Sequence, residues 1–132
     1  MRLLAVLLMF TCAWSGYGGE TREAKPLGPA EATRHVNEQV TVEMVVKASK
    51  DRLAKHKEIY LDSEEDFRDP KNLGVVITQA GADKFRKAGV ADPATYFKSK
   101  IIRVTGTVIL KNKRPRIEVD DPEQLRVLKK EG

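Results

Sequence analysis

The sequence predicts an all-β fold, a five-stranded Greek-key barrel with a helical insertion between its third and fourth strands. Three observations support this prediction. Apolar residues recur with a period of two in several segments, as in half-buried strands. Three such segments precede a stretch with helical patterning, and two follow it. In the fourth strand, Gly106 permits the sharp bend that the closure of a small barrel requires.

The first three predicted strands lie between residues 40 and 78. The first alternates apolar with mostly polar residues, and its apolar positions are Val40, Val42, Met44 and Val46. The polar, lysine-rich residues 48–56 predict a loop, and residues 58–62 predict a second, shorter strand. After a turn-rich connection over 63–72, residues 73–78 are apolar on both faces and β-branched, as expected of a strand inside a core.

The insertion and the last two strands follow. Residues 82–88 predict a short helix that ends at Gly89, and Asp92 and Pro93 begin another. We expect the aromatic residues of this insertion to plug the barrel; they are Phe85, Tyr96 and Phe97. A long strand over 102–110, a basic turn over 111–114 and a fifth strand over 116–120 come next. Beyond Pro122 the sequence predicts only a last apolar patch, formed by Leu125, Val127 and Leu128.

Residues 1–19 have the features of a cleavable secretory signal peptide. Arg2 precedes an apolar run over residues 3–14, which is shorter than the roughly 20 residues of a membrane-spanning helix. Small residues follow, and cleavage after Ser15 or after Gly18 fits them equally. The sequence therefore predicts a secreted or periplasmic protein with no stable membrane span.

The rest of the chain is expected to form one domain. Residues 20–28 predict a flexible leader, residues 29–128 the domain, which begins with one or two helical turns, and residues 129–132 a charged tail. The single cysteine, Cys12, falls within the signal. Because Met9-Phe10-Thr11 before it fit a lipoprotein signal badly, we expect no lipid anchor there and no disulfide in the mature domain.

The charge balance is modestly basic. The chain has 24 basic and 19 acidic residues and a net charge of +5. One of the basic residues, Arg2, lies in the signal, which leaves +4 for the mature chain. Such a charge favours polyanionic partners through long-range attraction.

Much of the chain, about residues 29–128, resembles bacterial OB-fold domains of the nucleic-acid-binding type, which occur as small exported proteins and as modules attached to extracellular nucleases. The resemblance is carried by Glu31-Ala32-x-x-His35-Val36, Val40-Thr41-Val42, Tyr60-Leu61-Asp62, Gly74-Val75-Val76-Ile77, Ile102-Arg103-Val104-Thr105-Gly106-Thr107-Val108 and Arg114-Pro115-x-Ile117-x-Val119-x-Asp121-Pro122-x-Gln124-Leu125.

Two positions depart from the family pattern. Asn37 stands where the family usually has glycine, and asparagine is the next best residue for a left-handed backbone. The acidic residues 62–66 replace an asparagine and a short glycine-containing turn. This second departure adds negative charge beside the surface on which the fold usually binds ligands.

The resemblance implies a binding face on the second and third strands, between the loops that join strands one to two and four to five. Both loops are basic, and cations on both rims of a groove suit a phosphate backbone. Lysine-rich loops that bind no ligand and are simply solvated are the alternative interpretation. The candidate ligand-binding residues are Lys50, Arg52, Lys55, Lys57, Lys111, Lys113, Arg114 and Arg116. Tyr60 is the candidate for base stacking, but its apolar neighbours Ile59 and Leu61 leave open whether it faces outward or into the core.

The residues favour a binding module over an enzyme. His35 and His56 have no nucleophile or carboxylate at a telling spacing, so no catalytic set is expected. The acids over 62–69 lack the EF-hand spacing, and no metal or cofactor is expected. The prediction is weak, sequence-unspecific binding of single-stranded nucleic acid or another polyanion. The acidic turn and the shortage of exposed aromatic residues favour the alternative, a module of the same fold that binds an envelope protein or an oligosaccharide.

Overall fold

A computed structural model of the protein describes residues 25–130. The predicted signal peptide, Cys12 and most of the predicted leader lie outside these residues, as do the last two residues of the predicted tail. Seven strands are described: β1 Gln39–Val45, β2 Ala48–Arg52, β3 Glu58–Asp62, β4 Gly74–Thr78, β5 Lys100–Lys111, β6 Arg114–Val119 and β7 Leu125–Lys130. The helices are α1 Pro29–Ala32, α2 Leu53–His56, α3 Gln79–Lys87 and α4 Pro93–Phe97, with a short 3-10 turn at Pro122–Gln124.

The strands form one mixed sheet. Its order is β1-β5-β6-β4-β3-β2, and β7 pairs with β5 beside this path. Only the β4–β6 pairing among the named strands is parallel. The strand pairings do not join the two end strands, β1 and β2, which are consecutive in the chain. Between them the Val46 amide donates to the Lys100 carbonyl and the Lys47 amide donates to the Asp62 carbonyl, so the chain changes partner within two residues.

Two parts of the predicted strand count are corrected. Residues 48–56 are not a loop, since they form β2 and the single-turn helix α2. β2 has no large apolar residue on its inner side, where Ser49 instead donates its hydroxyl to the Ala94 carbonyl of α4, and the sequence therefore shows no alternation. The predicted apolar patch at the C-terminal end is the strand β7. The sheet consequently has seven strands where the sequence predicted five.

The core lies inside the sheet and beneath the helical insertion. Alternate residues of β1, β3 and β6 are buried, as Val42, Ile59 and Ile117 illustrate, whereas residues 74–77 of β4 are all buried. The predicted helical plug is confirmed for two of its three aromatic residues, Phe85 and Phe97, whose rings meet edge to face at 5.5 Å between centroids. The prediction is wrong for Tyr96, which is 43% exposed and carries the Lys100 ammonium 3.5 Å from its ring centroid.

Special backbone positions explain three sequence features. Asn37 has a φ of 71°, the left-handed backbone expected where the family pattern has glycine. Gly106 is required by close packing, because a Cβ there would lie 2.6 Å from Ile117 Cγ2. Leu27, inside the predicted leader, pairs in parallel with Val42 and is packed against the core.

Among residues 25–130, no helix combines the length and apolar character that crossing a bilayer requires.

Candidate functional site

A groove of about 340 Å³ lies on the outer face of the sheet. Strands β2, β3, β4 and β6 form its floor, and two turns border it: residues 63–73 between β3 and β4, and the hairpin between β5 and β6. The lining residues are Lys50, Arg52, His56, Tyr60, Asp62, Phe67, Asn72, Gly74, Val76, Lys111, Asn112, Arg114, Pro115 and Arg116. Both basic segments that the sequence singled out therefore border one groove.

The strand register puts the floor residues in two rows. In one row Lys50 stands opposite Tyr60, which stands opposite Val76. In the next row Asp62 stands opposite Gly74, which stands opposite Arg116. The period of two explains why Tyr60 is on this face, since its neighbours Ile59 and Leu61 are fully buried on the other. The open question about Tyr60 is thus resolved in favour of the outer face.

Six of the nine predicted ligand-binding residues line the groove: Lys50, Arg52, Tyr60, Lys111, Arg114 and Arg116. The other three do not line it, namely Lys55, Lys57 and Lys113. Lys57 ends α2 with a φ of 62°, and Lys113 occupies the second central position of the β5–β6 hairpin with a φ of 66°. Both lysines occupy left-handed turn positions, which a basic cluster in the sequence does not reveal.

The groove cations divide into free and paired ones. Within residues 25–130, Lys50, Arg52, Lys111 and Arg114 have no carboxylate within ion-pair distance. Arg116 is different, because its guanidinium donates to Glu58 at 3.0 Å and to Glu118 at 3.2 Å, and its side chain is only 12% exposed. The first four cations are available to a ligand, whereas Arg116 links β6 to β3 across the intervening strand β4.

Tyr60 belongs to the same network as Arg116. Its hydroxyl donates to Glu58 Oε1 at 2.6 Å. Burial raises the pKa of Tyr60, and the hydrogen bond to Glu58 adds to this effect. Burial alone would raise the pKa of Glu58, but the hydrogen bonds from Tyr60 and Arg116 outweigh it and hold that pKa below its usual value. The network therefore fixes the tyrosine ring on the groove floor with Glu58 ionised.

Asp62 places a carboxylate among the groove cations. Its Oδ1 accepts from Asn72 Nδ2 at 3.1 Å. Burial raises the pKa of Asp62, although the bond from Asn72 and the nearby Lys50 oppose that rise. Asn72 itself is buried and also accepts from the Glu64 amide at 2.9 Å, so it fixes the 63–73 turn onto the groove.

Phe67 is an aromatic residue of the groove outside the set of candidates predicted from the sequence. It lies in the 63–73 turn, is 48% exposed and lines the groove. The Arg114 guanidinium lies 4.9 Å from its ring centroid and that of Arg68 lies 5.8 Å away. A lone aromatic residue between polar neighbours in a long turn was the available signal, because such a residue without an apolar period has no core position to fill.

A second depression, of about 620 Å³, lies over β1, β5 and β7. Its polar groups largely satisfy each other. Arg103 pairs with Glu43, and the Thr41 and Thr105 hydroxyls lie 3.1 Å apart. This surface therefore offers fewer available cations than the groove. In the described part of the chain, no three histidine, cysteine or acidic side chains come together in a way that could hold a metal ion.

Comparisons with known proteins identify the fold. No protein-family model matches the chain, and no curated protein does either. Among solved structures, an asparaginyl-tRNA synthetase from Pyrococcus horikoshii aligns with 80% of this chain and 23% of its own, at 16% identity and a TM-score of 0.52. An aspartyl-tRNA synthetase from Entamoeba histolytica aligns with 80% of this chain and 21% of its own, at 14% identity and a TM-score of 0.52.

A third similar structure is a small protein in its own right. OBody AM1L10, solved bound to hen egg-white lysozyme, aligns over its whole length with 84% of this chain, at 15% identity and a TM-score of 0.55. By contrast, the chain spans less than a quarter of the two synthetases. At these identities the likeness shows the fold alone. The chain has an OB fold, a mostly β structure built on a seven-stranded sheet with a few short helices.

Proposed function

We propose that the chain is a non-enzymatic binding module that holds single-stranded nucleic acid in the groove, mainly through contacts to phosphates. One observation carries the proposal. Lys50 and Arg52 come from one part of the chain, Lys111 and Arg114 come from another, and all four line the same groove without an acidic partner among the described residues. Cations contributed to one groove by β2 and by the β5–β6 hairpin attract a phosphate backbone and release its counterions.

The groove floor favours a single strand over a rigid duplex. Tyr60 on the floor and Phe67 in the bordering turn present aromatic surface between the cations. Unpaired bases can lie on such surface, whereas a duplex hides its base faces. With only four available cations, the electrostatic contribution is modest, which agrees with weak binding that depends mostly on the backbone rather than on sequence.

The synthetases among the fold neighbours act on tRNA by name, and this is compatible with the proposal. The mixed charge of the face favours a second candidate, a module that binds a protein of the cell envelope. Glu58, Asp62 and Glu118 lie on the same outer face as the cations, and one fold neighbour was solved bound to a protein. Co-purification from native envelopes would distinguish the two: a stable protein partner without nucleic acid selects the second candidate.

Binding of a labelled oligonucleotide tests the first candidate. Lys111 and Arg114 face each other across the hairpin, so reversing both charges keeps a like-charged pair and should leave the fold intact. We expect the double variant K111E/R114E to lose binding at low salt. The control variant K87E/K98E makes the same change in net charge at exposed sites on α3 and after α4, and it should retain most of the affinity. Equal loss in both variants, or no binding by the wild type at any salt, would reject the proposal.

We further propose that the module is exported after cleavage of residues 1–18 or 1–15. The support is the basic, apolar and small-residue pattern at the N-terminus. Expression of the full chain in a bacterium, fractionation and sequencing of the mature N-terminus test this. A product that begins at Gly16 or Gly19 is expected, whereas an intact Met1 in the cytoplasmic fraction would contradict export.

A further inference from the structure

A carboxylate inside a cationic groove needs an explanation that phosphate binding does not supply. Asp62 stands on the floor of the groove with Lys50 near it. Its Oδ1 accepts from Asn72, and within residues 25–130 its Oδ2 has no hydrogen-bond donor. An ionised carboxylate repels phosphate, so Oδ2 suits a ligand group that carries an N–H donor.

The exposed side chain of Phe67 lines the same groove as this carboxylate. Asn72 Nδ2 is 3.1 Å from Asp62 Oδ1 and 3.5 Å from the Phe67 carbonyl oxygen, so one amide group contacts both residues. The turn that carries the ring is fixed from its other side by the Leu73 amide, which donates to Ser63 Oγ at 2.9 Å. The backbone that carries the exposed ring is therefore held at the border of the groove.

Cations surround this pair. The Arg114 guanidinium lies 4.9 Å from the Phe67 centroid, and Lys111 stands opposite Arg114 in the hairpin. An aromatic ring, a planar guanidinium and a carboxylate acceptor together match a nucleobase that stacks on a ring and donates from its edge. The flanking lysine and arginine side chains are placed to meet the adjacent phosphates.

We propose that an unpaired nucleobase with an exocyclic amino group stacks on Phe67 and donates a hydrogen bond to Asp62 Oδ2. This inference rests on the proposed function and names the class of base that the groove prefers. Cytosine carries an amino donor at C4 and adenine carries one at C6, whereas thymine and uracil carry a carbonyl oxygen at C4. A carbonyl facing Asp62 would leave two acceptors opposed, so the groove discriminates against those bases.

Two labelled homopolymers of equal length, oligo-dC and oligo-dT, test the inference with the full chain at about pH 8, where cytosine is unprotonated. Fluorescence anisotropy should give wild-type binding of oligo-dC that is about 10- to 150-fold tighter than that of oligo-dT, the range expected for one hydrogen bond to a charged group. Asp62→Asn should abolish this preference, because its amide can donate to the thymine carbonyl. Phe67→Leu should weaken both ligands by about 5- to 100-fold, since it removes the ring and leaves an apolar side chain.

Matched controls separate these effects from net charge and apolar area. Glu65→Gln removes a carboxylate from the same turn but outside the groove, and should leave the preference intact. Leu128→Ala shortens a 38%-exposed apolar side chain on β7 and should change neither affinity. Equal wild-type binding of the two ligands, or a preference that survives Asp62→Asn, would overturn the inference and leave the proposed function standing. Absence of binding to both ligands would overturn the proposed function and the inference together.

Discussion

The dependence of binding on salt follows from which cations in the groove have acidic partners. Lys50, Arg52, Lys111 and Arg114 are unpaired within the described residues, and Arg116 is held by Glu58 and Glu118. If each of the four unpaired cations meets one phosphate of a single strand, the slope of log K against log salt is about −2.8. Affinity should then fall about 50-fold between 50 and 200 mM salt.

Neutralising one unpaired cation should reduce this slope by a fixed step. Arg114→Gln leaves three cations, which predicts a slope of about −2.1 and an affinity loss of about 18-fold over the same salt range. Arg116→Gln removes the same formal charge but no phosphate contact, so its slope should remain that of the wild type. It should instead lower the free energy of unfolding by about 3 kcal/mol, because Glu58 and Glu118 lose their shared partner in a partly buried site.

Anisotropy titrations of the wild type and both variants at four salt concentrations measure the slopes, and urea denaturation measures the stabilities. The contrast between Arg114 and Arg116 is the informative result. A slope that falls equally in both variants would show that the paired and unpaired cations are equivalent to the ligand. That outcome would refute the division of the groove cations drawn from the ion pairs.

Three further predictions concern stability. Burial holds the pKa of Asp62 above its usual value. The free energy of unfolding should therefore fall as pH rises from below the ordinary Asp pKa through the raised one, and Asp62→Asn should melt at a higher temperature than the wild type at pH 7 but not in acid. A lower melting temperature of the variant at pH 7 would contradict this. Gly106→Ala should lower the free energy of unfolding in urea by about 1–3 kcal/mol, because its Cβ would lie 2.6 Å from Ile117 Cγ2. The control Gly74→Ala should change that free energy little, because its Cβ would lie 3.5 Å from its nearest neighbour. Equal effects of the two substitutions would be inconsistent with the packing argument. Lys113→Gly should raise the same free energy by about 1 kcal/mol, since glycine adopts a φ of 66° without a Cβ penalty, and an unchanged urea midpoint would count against that reason.

Period-two alternation located the strands whose inner face is apolar. The alternation around Val42, Ile59 and Val104 predicted β1, β3 and β5 because those residues fill the core. It failed for β2, whose inner side meets α4 through the hydroxyl of Ser49. It also failed to show β7 as a strand, since pairing with β5 is a long-range interaction that a short apolar patch does not encode.

For the groove, residue type predicted the cations that have no acidic partner, but it did not predict that Asp62 and the 63–73 turn line the groove. Lys50 and Arg114 were found because basic residues cluster in both segments. Asp62 was predicted as a strand end beside an acidic turn, and only the fold of that turn over Asn72 places its carboxylate in the groove. Lys57 and Lys113 were included in the candidate set because charge alone does not distinguish a ligand contact from a left-handed turn position.

A single-stranded ligand is proposed to occupy the outer face of β2, β3, β4 and β6. Amide chemical-shift mapping by NMR during titration with a short oligonucleotide tests this placement most directly. We expect shifts to concentrate at Lys50, Tyr60 and Asn112, with Thr41 and Thr105 in the second depression unchanged. Shifts concentrated around Thr41 and Thr105, with the groove amides silent, would contradict the account.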